Sequence, residues 1–135
     1  MIESTIKREF NCDKNKLWNT ITDNSNYSWR SDLSHIEIID GTHFIEYNKN
    51  NYKTYFTITS KVELKKYEFN IENTNIKGKW TGIFKELPNG NIELEFIEKI
   101  ETNKILVKLL GKFYLKNQQN KYMKDLENEL KKDKN

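Results

Sequence analysis

Residues 78–130 read GKWTGIFKELPNGNIELEFIEKIETNKILVKLLGKFYLKNQQNKYMKDLENEL, and the spacing of apolar residues changes part-way along. Ile76, Gly78, Trp80, Gly82 and Phe84 share one face of an alternating run. Ile92, Leu94, Phe96, Glu98 and Ile100 share one face of the next, after the turn signal Pro88–Asn89–Gly90. Period-two alternation on both sides of a tight turn predicts a β-hairpin. From Asn103 to Lys132 there is no proline, and Gly111 is the only glycine. Leu106, Leu109, Leu110, Phe113, Met123, Leu126 and Leu130 recur there at steps of three and four. This predicts one long amphipathic helix, bent or started late near Gly111. A sheet with one apolar face must cover it, and this helix is the only element large enough to do so.

Upstream of the hairpin the same alternation repeats. Ile36–Ile39 stops at Asp40–Gly41, and Phe44–Tyr47 stops at Asn48–Asn51. Tyr52, Thr54, Phe56, Ile58 and Val62 mark a further strand, and Tyr67, Phe69 and Ile71 another. At the start, Ile2, Ser4, Ile6, Arg8 and Phe10 share one face of a first strand. Asp13 has the character of a helix N-cap, and Leu17, Trp18 and Ile21 form one short helical stripe ending near Thr22–Asn26. Tyr27 and Trp29 fall in a loop or brief turn, and Lys131–Asn135 read as a frayed end. The order is strand, helix, six strands, long helix. The expected class is α+β: a seven-stranded antiparallel curved sheet wrapped around a long C-terminal helix, with a short helix after strand 1. Residues 1–135 are expected to form a single domain.

Composition narrows the functions. Hydrophobic residues make up 36% and charged residues 32%, while aromatics reach 13% and alanine is absent. The core must therefore rest on Ile, Leu, Phe, Tyr and Trp. Basic and acidic residues number 23 and 20, for a net charge of +3, and Arg8 and Arg30 are the sole arginines. Interspersed signs and sparse arginine argue against a nucleic-acid partner. Cys12 is the one cysteine, so no internal disulfide or cysteine-based metal site is expected. The charged start Ile2–Phe10 and the lack of a long apolar run point to a cytoplasmic location without a signal peptide or membrane span.

With the elements placed, the chain resembles the START-like superfamily, also called SRPBCC, whose fold is the helix-grip. The nearest look is to its polyketide cyclase/dehydrase and lipid-transport group. The residues carrying the resemblance are the strand Ile2–Phe10, the opening helix Asp13–Trp18 with its Leu17–Trp18 pair, and Asp23, Tyr27 and Trp29 after it. Gly78–Lys79–Trp80 with Pro88–Asn89–Gly90 matches the late hairpin, and Tyr122–Leu130 the closing helix. The family's Ala-Pro step after the first strand is replaced by Asn11–Cys12. The superfamily hosts carriers, cyclases, hydrolase-like enzymes and co-chaperone modules, so fold alone does not assign function.

The resemblance implies a cavity between sheet and helix. The expected function is binding of a small hydrophobic molecule there, lipid-like or aromatic, as carrier or sensor. An aromatic cyclase/dehydratase and a protein-interaction module are the alternatives. Trp18, Trp29, Phe56, Trp80, Phe96 and Phe113 are the candidate lining, each equally well read as core. Strands 1 and 7 are neighbours in the resembling fold. Arg8 and Glu98, both on apolar faces, are therefore expected to meet inside as a polar patch able to orient a ligand carboxylate or hydroxyl, or else to turn to solvent at a bulge. Arg30, at the expected mouth, reads as a surface charge or else as a holder of an anionic ligand head, and Glu46 as a lesser inward candidate. His35 and His43 flank one turn without metal-ligand spacing, and Cys12 at a strand–helix junction reads as inert. No catalytic residue, metal or cofactor is assigned. Lys104, Lys108, Lys112, Lys116, Lys121 and Lys124 read as a solvated helix face, so any membrane contact would be transient.

Overall fold

The computed structural model describes residues 1–132. Its elements run β1 (Ile2–Phe10), α1 (Lys14–Thr22), β2 (Leu33–Ile38), β3 (His43–Asn48), β4 (Lys53–Val62), β5 (Lys66–Glu72), β6 (Lys77–Glu86), β7 (Ile92–Glu101) and α2 (Ile105–Lys131). The seven strands form one sheet in the order β1-β7-β6-β5-β4-β3-β2, each pair antiparallel. Hairpins link β2 through β7, while β1 crosses over to pair with β7, as the resemblance implied. Of the expected frayed end, Lys131 closes α2 and residues 133–135 lie outside the described residues.

Asp13 caps α1 as expected, its Oδ1 accepting from the Asn15 N–H at 3.1 Å. Leu17, Trp18 and Ile21 are the buried stripe of that helix. In β7 the odd–even logic holds: Ile92, Leu94, Phe96 and Ile100 are buried. Register shifts at Leu33/His35 in β2 and Ile58/Ser60 in β4 bend the sheet. Gly78 in β6 has no room for a side chain, since a Cβ there would collide with the Lys99 carbonyl oxygen.

The long helix departs from its expected stripe in its first half. The buried line is Gly111, Leu115, Gln119, Met123, Leu126 and Leu130. Leu106, Leu109, Leu110 and Phe113 are instead exposed, Phe113 by 76%. The reason lies at Gly111, where the helix lies against Ile2 so closely that a Cβ would stand 2.6 Å from Ile2 Cδ1. That contact selects the Gly111–Leu115–Gln119 row as the inner one. Gln119 then accepts from the Ser4 hydroxyl at 2.8 Å and donates to the Ser4 carbonyl at 2.9 Å. The helix is thus fastened to the edge strand by polar bonds as well as apolar packing.

Candidate ligand-binding site

A cavity of about 900 Å³ lies between the sheet and α2. Its lining on α2 runs from Leu106 to Tyr122, about 24 Å along a helix rising 1.5 Å per residue. It is a long space, not a round one. The sheet contributes aromatic walls. Phe44 and Phe56 stack at 4.8 Å, Phe69 and Trp80 at 4.7 Å, and Trp80 leans on Phe96 at 4.5 Å. Tyr122 meets Phe96 edge-on at 4.9 Å. These rings come from β3 through β7 because alternate residues of each strand point to the same side. Leu106, Leu110 and Tyr114, all exposed, form part of the rim.

The cavity also has a polar wall. Arg30, in the loop after α1, lies on Tyr122 with its guanidinium carbon 4.8 Å from the ring centroid. Its Nε and Nη2 donate to the two Asp32 oxygens at 3.1 and 3.0 Å. Nη1 and Nη2 donate to Glu46 on β3 at 3.4 and 3.5 Å. The side chains of Arg30 and Glu46 are only 13% and 15% exposed. Burial opposes the charge on Arg30, but Glu46 and Asp32 outweigh it and hold the guanidinium firmly protonated. Burial also opposes the charge on Asp32, yet the forked bond from Arg30 wins and keeps its carboxyl below the ordinary value. At Glu46 burial wins over the longer bonds to Arg30, and its carboxyl is pushed up.

Glu98 stands apart from this network. It lies on β7 opposite Trp80 and Ser4 in the register and faces the cavity. Among the described residues nothing gives it a hydrogen bond or an ion pair. Its side chain is partly buried and lines the cavity. Burial, with the nearby Glu46 charge adding and Arg30 only partly opposing, pushes its carboxyl up to about 7. Tyr122 and Tyr67 are also pushed up, mainly by burial, and the Tyr67 hydroxyl accepts from Asn24 at 3.3 Å.

Of the candidates taken from the sequence, Phe56, Trp80, Phe96 and Glu98 line the cavity. Trp18 and Trp29 are buried but stand behind the wall, Trp18 against Phe84 and Trp29 against Tyr122. Phe113 points away from the cavity, for the reason given by Gly111. The expected Arg8–Glu98 meeting does not occur. Arg8 shares the inner face of β1, but β1 is the edge strand. The side chain leaves sideways to Glu127 on α2, at 3.8 Å and 44% exposed. Arg30 corrects the reading in the other direction: it is the buried arginine, not a surface charge. Sequence reasoning missed Tyr122, Asp32 and Gln119. Gln119 left a signal, being a polar residue in the four-step row between Leu115 and Met123.

His35 stacks on Tyr47 and His43 bonds Asp40, so the two histidines have separate partners. Among the described residues no cluster of His, Cys, Asp and Glu could hold a metal, and no helix is long and apolar enough to cross a membrane.

Residues 5–117 match the model of a family described as a domain of unknown function, DUF3284. The chain belongs to the DUF3284 family. No curated protein matches it. Solved structures place this DUF3284 member in the START-like, helix-grip fold. A START superfamily protein from Mycobacterium smegmatis superposes with a TM-score of 0.81 at 10% identity, covering 96% of this chain and 97% of that one. A conserved protein from Geobacillus kaustophilus gives 0.82 at 13% identity, covering 97% and 96%. The protein XoxI from Bacillus cereus gives 0.77 at 16% identity, covering 96% of each. At these identities the likeness concerns the fold.

Proposed function

We propose that this DUF3284 chain acts as a single domain that holds a small hydrophobic molecule between sheet and α2, as a carrier or sensor. The observation that carries the reading is the long cavity of about 900 Å³ walled by Phe56, Trp80 and Phe96. Its size falls in the range of small-molecule sites, and a continuous aromatic wall on the sheet side faces polar groups gathered at Arg30, Asp32, Glu46 and Glu98. Burial of apolar ligand surface, at about 25 cal/mol per Å² before association costs, supplies the affinity. Ile71 and Ile76 both line this space. The test is titration with the neutral dye Nile red, beside native mass spectrometry of freshly purified protein. Nile red should bind, and Ile71→Trp and Ile76→Trp, which fill the space from the β5–β6 end, should each abolish binding without unfolding the protein. Unchanged dye binding in both folded variants would remove the reading.

One observation favours a second reading, an enzyme of the cyclase/dehydratase kind. A cavity-facing carboxyl titrating near neutrality, as Glu98 does, suits a general acid or base. Turnover of an aromatic polyketone substrate that survives Glu98→Gln would remove Glu98 from that role.

A further inference from the structure

The polar wall of the cavity is unbalanced in charge. One guanidinium, that of Arg30, faces the three carboxyls of Asp32, Glu46 and Glu98. Four hydrogen bonds to Asp32 and Glu46 occupy Arg30, and the Tyr122 ring covers one face of it. Little of its donor capacity remains for a ligand. Glu98 is the reverse case: a cavity-facing carboxyl with no hydrogen-bond partner among the described residues. A buried carboxylate without a partner is costly, and the cost is relieved by a cation that also donates a hydrogen bond. An incoming carboxylate would instead add a further acidic group to a wall that already holds three carboxyls.

We propose that Glu98 is the headgroup anchor and that the ligand is a basic amphiphile, an apolar body ending in one protonated amine. This rests on the cavity being the binding site, as argued above, and adds the sign and chemistry of the ligand's polar end. The aromatic walls of Trp80, opposite Glu98 on β6, and Phe96, two residues before it on β7, take the apolar body. Fatty acids are excluded by charge, although the length of the cavity would admit their chains. Proton bookkeeping supports the same anchor. Burial holds Glu98 at about 7, so an ammonium bound beside it would favour the ionised form.

The test uses three probes of equal chain length, octylamine, octanol and octanoate, each displacing Nile red from the full chain. At about pH 8 octylamine should bind at least about tenfold tighter than octanoate, the equivalent of about 1.4 kcal/mol, with octanol between them. In Glu98→Gln the preference, read as displacement relative to that variant's own Nile red affinity, should collapse to about threefold or less. A measurement on the unmodified protein guards against a variant that fails to fold. Octylamine affinity should weaken as pH falls from about 8 to about 5.5, because Glu98 takes up its proton while the amine stays charged. The other groups facing this wall are Arg30 and Asp32 from the loop, Glu46 from β3, Tyr67 from β5, and Lys121 and Tyr122 from α2. Glu46, also pushed up, would lose its charge in the same direction, and the Glu98→Gln comparison separates its share. Octanoate binding as tightly as octylamine, an amine preference that persists in Glu98→Gln, or no binding of any of the three where Nile red still binds would each overturn the assignment. Failure of Nile red itself to bind would instead overturn the cavity reading beneath it.

Discussion

Replacing Glu98 by glutamine keeps the shape of the side chain and removes its ability to ionise. In the folded protein the carboxyl is pushed from an ordinary 4.5 to about 7, first by burial and then by Glu46. A folded value above the unfolded one means that folding favours the protonated form. The penalty is therefore absent below about pH 4.5, grows as pH rises, and is complete above about pH 7. The gap between the two values corresponds to about 3 kcal/mol of destabilisation at alkaline pH. Water entering the cavity screens part of it, so a gain of about 1.5–3 kcal/mol is expected for Glu98→Gln near pH 8.5, and about none near pH 4.5. Urea unfolding of ligand-free protein, followed through the buried Trp18, Trp29 and Trp80, measures the difference at each pH. Glu46 interacts with Glu98, so Glu46→Gln and the double variant are measured beside Glu98→Gln to separate the shared part. A stability difference that stays flat with pH, or a variant weaker than the parent at pH 8.5, would show that Glu98 is not an unpaired buried carboxyl.

Arg30→Met should cost about 3 kcal/mol or more in urea unfolding, because Asp32 and Glu46 would keep their burial and lose their cation; a loss under about 1 kcal/mol contradicts the network. Gly78→Ala should lower stability by about 1–3 kcal/mol, since the new Cβ meets the Lys99 backbone, whereas Gly41→Ala, with open space around it, should stay within about 0.5 kcal/mol. Equal melting temperatures for the two alanine variants would refute that contrast. Gln119→Leu should cost about 1–3 kcal/mol by stranding the Ser4 hydroxyl and carbonyl, and hydrogen exchange in β1 should quicken with it.

The strands were legible because an alternating pattern needs no knowledge of its neighbours. Trp80, Phe84, Leu94 and Phe96 take their inward positions from period two alone. The N-cap at Asp13 and the turn at Pro88–Gly90 were equally local. The first half of α2 was not legible, because its sequence offers two apolar rows, one through Leu106 and Phe113 and another through Leu115. Contact with Ile2 across the chain, at Gly111, chooses between them. The environments of Arg8 and Arg30 are not legible for a similar reason. Each environment depends on which strand is at the edge and which loop folds under α2, and neither fact is written near the arginine.

Order, type and facing of the β-strands thus follow from the residue pattern, since a strand's two faces are set by backbone geometry one residue at a time. The position of charge inside the protein does not. Arg30, Asp32, Glu46 and Glu98 come from a loop and two strands separated in the chain, and they line one cavity because the sheet curves around α2. An empty space and an unpartnered carboxyl are properties of what surrounds a residue. They exist only once distant segments have been packed together.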